Sequence, residues 1–436
     1  MLKRISPAKV ELGMFVHNLE GSWFSHPFWK SRFLLNDAGD LATLRESALD
    51  AVVIDLRRGR DVTEACEEAP AKTEVSPRIG LHGRPQPPSP PRPQPARPAS
   101  IKSAAFSSKR GTSGPVPFTR EFGNAKLVHG KARKVISRVF LQARLGNVPG
   151  IAEVEPVVED IYASIQRNPY AFSSLMRCKQ DQEIAYRHAL SVSAMMISLA
   201  RQMKLSPSDT REAGMAGLLM DVGVARLDVD LQQHEGRYDS VDRDLWDRHT
   251  YLGHDLLRAS DAISETVMRV ALNHHEAMDG SGFPKGLVGN EIDLFSRMAA
   301  ICNAYDHYLC GAIDGVGLDP ASAIERMQAQ SARFDTAILE RFVETLGVYP
   351  VGSFVTLRSG RLAMVVDQDP TAPHLPTVRA FYSLERGRHV GAETIALSSC
   401  FGADAIVGVA DLEGLDLPSP GKLRESLMSA ALRSVG

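Results

Sequence analysis

Residues 271–308 read ALNHHEAMDGSGFPKGLVGNEIDLFSRMAAICNAYDHY. Two adjacent histidines, His274 and His275, close an apolar helical run. Glu276, Asp279 and the tight loop Gly280-Ser281-Gly282-Phe283-Pro284 follow, and a second apolar helix then carries Asn303 and Asp306. Imidazoles and carboxyl-type groups gathered from two helices and a loop are the donors that a divalent cation requires. The same residues also read as a polar loop between two core helices. A His-His-Glu with a glycine-rich loop behind it keeps the metal reading level with that plainer one.

Around this stretch, residues 123 to about 345 are almost wholly helix-patterned. Runs such as KARKVISRVFLQARLG, IAYRHALSVSAMMISLARQM and VDRDLWDRHTYLGHDLLRAS place apolar residues three and four apart, and Gly and Pro punctuate the joins. The expected fold class is mainly α: a helical bundle whose interior hosts side chains from several helices, with a small α+β N-terminal domain and a small β-rich C-terminal unit. Residues 1–66 form the first of these, with VELGMFVHNL and AVVIDLR as strands and DLATLRESAL, capped by Asp40, as a helix. Trp23, Phe24, Phe28, Trp29 and Phe33 read as its core. Residues 67–118, containing RPQPPSPPRPQPARP, lack packable apolar side chains and read as a disordered, Pro-rich spacer. The helical domain spans 119–348. A period of two in SFVTLRSG, RLAMVVDQD, TVRAFYSL and AETIALSS marks a β-rich extension over 349–412, and 413–436 is a short helix or a frayed tail.

Composition narrows the function classes. The 436 residues carry a net charge of -2 and are 44% hydrophobic, which suits a soluble globular protein and gives no global attraction to nucleic acid or an anionic membrane. Cys66, Cys178, Cys302, Cys310 and Cys400 are scattered without a C-x-x-C pair, which argues against a disulfide framework and against structural zinc. No N-terminal apolar core marks a signal peptide, and no segment approaches the roughly 20 apolar residues of a membrane span. A cytoplasmic protein is expected.

HHEAMDGSGFPKGLVGNEI at 274–292, and more broadly Arg187 to Gly315, resembles the HD-GYP family, bacterial phosphodiesterases that cleave cyclic di-GMP within the wider HD metal-phosphohydrolase superfamily. Phe283 stands where Tyr is commoner. LKRISPAKVELGMFVH with SWFSHPFW resembles the small domain that often precedes HD-GYP domains, and YPVGSFVTL from Tyr349 their C-terminal extension. The resemblance implies metal-ligand roles for His188, Asp221, His249, His274 and His275. Ile184, one turn before His188, replaces a Glu that supports a third metal in some members, so a trinuclear centre is not implied.

Against the family pattern, Met220 occupies the position of the His before Asp221, and a thioether is a poor substitute for imidazole on iron or manganese. Val224 replaces a Lys used near the phosphate, Asn303 replaces the last metal-binding Asp, and Ala312 and Gly315 replace two phosphate-gripping cations. Lys285 and Arg297 are the cations that remain nearby, although an exposed Lys and a helix Arg are more often solvated or paired with carboxylates. The expectation is therefore one or two divalent ions, iron or manganese, held weakly or not at all. The favoured reading is a degenerate HD-GYP protein of cyclic di-GMP signalling that acts by binding a partner or ligand. The alternatives are an active phosphodiesterase, yielding pGpG or GMP on one metal held by Asp221, His249, His274 and His275, and a sensor that binds the dinucleotide uncleaved. By the same resemblance, Asp279, Gly280, Gly282, Phe283, Pro284 and Lys285, with Arg297, form a substrate or partner set, whose loop docks diguanylate cyclases of the GGDEF type.

Overall fold

The computed structural model describes residues 2–20, 33–36, 51–60, 116–178, 184–229, 240–311, 317–368, 372–400 and 403–433, with 38, 41, 42 and 45. The Pro-rich run, the aromatic residues Trp23, Phe24, Phe28 and Trp29, the proposed cap Asp40, and Cys66, Ala312 and Gly315 lie outside them.

The N-terminal unit is an antiparallel sheet of β1 (Leu2–Ile5), β2 (Phe15–Glu20), β3 (Phe33–Leu34) and β4 (Ala51–Asp55) in the order β1-β4-β2-β3. Val16, Val52 and Ile54 are fully buried, and Val10, Met14 and Leu35 close the same core. The strand expected over VELGMFVHNL begins only at Phe15, because Gly13, with φ of +87°, turns the chain before it. Arg45 lies on the helical part of this unit, and its Nε donates to the Val10 carbonyl at 3.0 Å.

From Val116 onward the chain forms helices α1 (Phe118–Arg144), α2 (Ile151–Arg167), α3 (Ala171–Cys178), α4 (Ile184–Gln202), α5 (Pro207–Leu219), α6 (Arg243–Arg258), α7 (Glu265–Asn273), α8 (Leu294–Cys310), α9 (Pro320–Ala329) and α10 (Thr336–Leu346). The central helix is α4, in which residues 188–200 are buried without a break because α5, α8, α1 and α10 surround it. Its only polar insertions are a histidine and small serines, so His188 must meet partners inside the bundle. Helix starts follow the sequence rules closely. Ser206, Asp242, Ser264, Asp293, Asp319 and Asp335 each accept a hydrogen bond from a backbone N–H in the first turn of the helix they precede.

A buried ion pair helps to fix α1 to α2. Glu121 is fully buried and accepts from Arg167 Nε and Nη2, both at 2.8 Å, and from Ser164 Oγ at 2.7 Å. Burial pushes the Glu121 pKa up, but these donors outweigh it and hold the carboxyl below its ordinary value of 4.5. The pair's contribution to stability should therefore be complete above that ordinary value and be lost as pH falls through the lower, folded one. Thermal unfolding of the parent and Glu121→Gln between pH 7 and pH 3 should show the gap in midpoint narrowing toward acid. A gap independent of pH would remove the carboxylate from this role.

The remaining strands form an antiparallel sheet ordered β8-β7-β6-β5-β9, with β5 (Phe354–Leu357), β6 (Arg361–Asp367), β7 (Thr377–Ser383), β8 (Arg388–Ala396) and β9 (Ile406–Val409). The last run is a helix, α11 (Pro420–Arg433), whose Leu423, Leu427, Met428 and Ala431 are buried, and it packs against β6 and α3. Arg424 of α11 donates from Nε to the Gly352 carbonyl at 2.8 Å and reaches Asp319 Oδ2 at 3.3 Å. Its guanidinium also sits 4.9 Å from the Phe354 ring centre. No helix among the described residues is long and apolar enough to cross a membrane.

Candidate metal centre

Asp221 lies two residues beyond the end of α5 and directly precedes a 3-10 turn, Val222–Arg226, that lies against α6. His249 comes from α6, while His274 and His275 follow the last residue of α7. One ligand atom from each of Asp221, His249, His274 and His275 lies within 4.8 Å of every other. These are the residues that the sequence reading named for a single-metal site.

Backbone carbonyls orient two of the rings. His249 Nδ1 donates to the Trp246 carbonyl at 2.6 Å, and His274 Nδ1 donates to the Val270 and Ala271 carbonyls at 3.1 and 3.2 Å. Both Nε2 atoms are thereby turned inward, 3.4 Å apart, and lie 3.5 and 3.2 Å from Asp221 Oδ1. Burial lowers the His249 pKa to about 4, so near neutral pH its inward nitrogen is a bare lone pair facing a carboxylate oxygen. Two acceptors facing each other in a buried site call for a cation between them. His275 Nε2 and Asn303 Oδ1 are likewise buried without a hydrogen-bond partner. The donor set fits a divalent metal.

His188 stands beside this cluster between two carboxylates. Its Nδ1 is 2.7 Å from Asp306 Oδ2, and its Nε2 is 3.0 Å from Asp221 Oδ2 but off the line of a hydrogen bond. Burial disfavours the charged ring, yet the two carboxylates prevail and raise its pKa to about 10. Asp306 also accepts from Ser191 Oγ at 2.5 Å. Burial raises the Asp306 pKa, and His188, Arg187 and Ser191 more than offset this and bring it to about 2. A carboxylate behind a histidine is the arrangement that fixes a ligand's ring orientation.

The other residues named from the sequence have these partners. Glu276, grouped with the histidines as a potential donor, accepts from Lys285 N at 2.8 Å and Leu287 N at 2.9 Å, so it clamps the loop. Asp279 accepts from Ser281 N and Oγ in a local turn at the surface. Gly280 has φ of +78°, and Gly282 is pressed so closely on the 275–277 backbone that a Cβ would lie 2.3 Å from Ala277 N. Phe283 turns inward, stacking on His275 at 4.4 Å between centroids, with Arg243 of α6 4.8 Å from its outer face. Pro284 is half-buried and Lys285 exposed. Arg297 is paired with Asp335 at 2.7 Å, the kind of carboxylate pairing weighed for it beside a substrate or partner contact. That partner lies 38 residues away in sequence and could not be read from spacing. Met220 is fully buried in the main apolar core, and Val224 packs with Leu227, Val241 and Trp246.

Sequence reasoning missed His307. It is buried on α8 and stacks 4.7 Å from His188. Burial, then the neighbouring His188, lowers its pKa to about 3. The signal was present as Asn303, Asp306 and His307, spaced to share one helix face.

Residues 170–338 match the HD domain family, and residues 2–154 match a domain of unknown function, DUF3391. The sequence is 36% identical over 413 residues to the cyclic di-GMP phosphodiesterase PA4108 of Pseudomonas aeruginosa, covering 94% of this chain and 92% of that protein. The chain belongs to the HD-GYP family. A second family relative, the cyclic di-GMP phosphodiesterase PdeB of Borreliella burgdorferi, is 22% identical over 202 residues, covering 46% of this chain and 52% of that protein. Among solved structures, Bd1817, an HDG"Y"P protein from Bdellovibrio bacteriovorus, is 20% identical with a TM-score of 0.44, covering 55% of this chain and 73% of that one.

Proposed function

We propose that this chain is a cytoplasmic cyclic di-GMP signalling protein that holds divalent metal on Asp221, His249, His274 and His275 but hydrolyses the dinucleotide poorly, acting through ligand or partner binding. In this reading residues 1–66 are an input domain, joined through 67–118 to the helical body. A cation at the cluster supplies Lewis acidity toward a phosphodiester. The supporting observation is the packing of the two replaced positions. Met220 and Val224 are built into apolar clusters and present neither an imidazole nor a cation, while Arg297 is engaged by Asp335. The exposed Lys285 beside Phe283 is the part of the loop best placed to meet a diguanylate cyclase of the GGDEF type.

The competing reading, an active phosphodiesterase, draws on the identity to a near full-length relative of that name. Turnover separates the two. Protein loaded with manganese or iron(II) should bind cyclic di-GMP or a partner without multiple turnovers. Hydrolysis should emerge only when Met220→His, Val224→Lys and Asn303→Asp are combined, since each single change leaves the other defects in place. Rapid cleavage by the unmodified protein, abolished in His274→Ala, would overturn the proposal.

A further inference from the structure

Helices α1, α3 and α11 meet around a cavity of about 290 Å³. Phe122, Leu175 and Met428, all buried, supply its apolar wall. Cys178 belongs to the same wall. Burial pushes its thiol up to about 11, so near neutral pH it is protonated and lines the space as a small apolar group, not as a nucleophile. Buried His129 of α1 and half-buried Ser429 of α11 add hydrogen-bonding groups. None of the residues of the metal cluster takes part.

Two charges of opposite sign complete the lining. Lys126 of α1 and Glu425 of α11 are both exposed and so stand at the mouth. Lys126 Nζ lies 5.3 Å from the centre of the Phe122 ring, where cation–π attraction keeps it over the cavity wall. No ion pair among the described residues joins Lys126 to Glu425, so a cation and an anion face one apolar space without neutralising each other. The volume is near the lower end of the roughly 300–1,000 Å³ of small-molecule sites. It suits one ring with a short head group and is too small for a dinucleotide.

We propose that this cavity binds a free apolar α-amino acid of one-ring size, its side chain against Phe122, Leu175 and Met428, its carboxylate toward Lys126 and its ammonium toward Glu425. A monocarboxylate would bring its anion beside Glu425, and a simple amine would leave Lys126 facing a cation, so the two charges together select the zwitterion. The Phe122 ring and the adaptable Met428 thioether favour an aromatic side chain. The site is separate from the metal cluster and independent of the function proposed above.

Ligand-observed NMR titration of full-length protein with L-phenylalanine tests the assignment. The parent should bind it with a Kd of about 1 mM or below, as a ligand of this size can. 3-Phenylpropionate and phenethylamine each lack one of the two charges and should bind about 10-fold more weakly. Lys126→Ala and Glu425→Ala alter exposed side chains, leave the fold in place, and should each weaken L-phenylalanine about 10-fold. Ser429→Trp should fill the cavity and abolish binding, with thermal unfolding verifying that it is folded. If it is not, the two charge variants decide. Absence of binding to the parent at about 10 mM ligand would overturn the inference. Equally tight binding of 3-phenylpropionate would overturn the zwitterion assignment, and unchanged affinity in both charge variants would place the ligand elsewhere.

Discussion

Gly223→Ala is expected to destabilise the helical body by about 3 kcal/mol or more and to abolish metal retention. A Cβ at this position would lie 2.0 Å from the His249 carbonyl oxygen, 2.4 Å from Gly253 N and 2.9 Å from Gly253 Cα. All three are backbone atoms of α6, so no side-chain rotation relieves the overlap. The 3-10 turn and α6 must part, and they carry Asp221 and His249 respectively, whose ligand atoms meet at 3.5 Å. For a body of this size the loss corresponds to a fall in midpoint of roughly 5–10 °C. Gly253→Ala is the graded control, since its nearest new contact, Gly223 N, is at 3.2 Å and a small shift absorbs it. Calorimetry of the parent and both variants tests the order. A Gly223→Ala midpoint within a degree or two of the parent's would mean that the turn and α6 are not in backbone contact.

Asp221→Asn should lower metal affinity by about 100-fold or more while leaving the fold in place. The substitution is nearly isosteric, yet it removes the only anion from the four-residue cluster. It also removes the group that lies within 3.0 Å of His188, 3.2 Å of His274 and 3.5 Å of His249. Loss of an outer partner alone commonly costs 10- to 100-fold in metal affinity. Asp306→Asn, which acts only through His188, should therefore fall at the lower end of that range. Competition with a chelator of known affinity measures both. Equal retention of metal by Asp221→Asn and the parent would place the metal elsewhere.

The helical body was legible because its signals are local. Apolar spacing gave α4, α6 and α8, and the Ser and Asp caps stand where the sequence rules put them. The cluster of Asp221, His249, His274 and His275 was legible through motif resemblance, since three of the four lie in the short motifs around His249 and the His274-His275 pair. The partner of Arg297 and the roles of Glu276 and His307 were not. Their roles depend on which helix face meets which neighbour, and tertiary packing decides that. An Arg in an apolar helix reads the same whether it faces a phosphate or Asp335. The terminal run was equally ambiguous, because only the burial of Leu423 and Leu427 distinguishes α11 from a frayed end.

The Arg424 clasp sets an order on assembly. This one side chain joins Asp319, 105 residues earlier, to the Gly352 carbonyl, 72 residues earlier. Contacts of such long separation form late, because the loops they close must be ordered first. A nascent chain can complete α4 and its neighbours while still emerging from the ribosome. The seam between the helices and the β5 strand stays open until α11 arrives, so a chain interrupted before residue 420 keeps the four clustered residues but exposes the apolar surface that Leu423, Leu427 and Met428 cover.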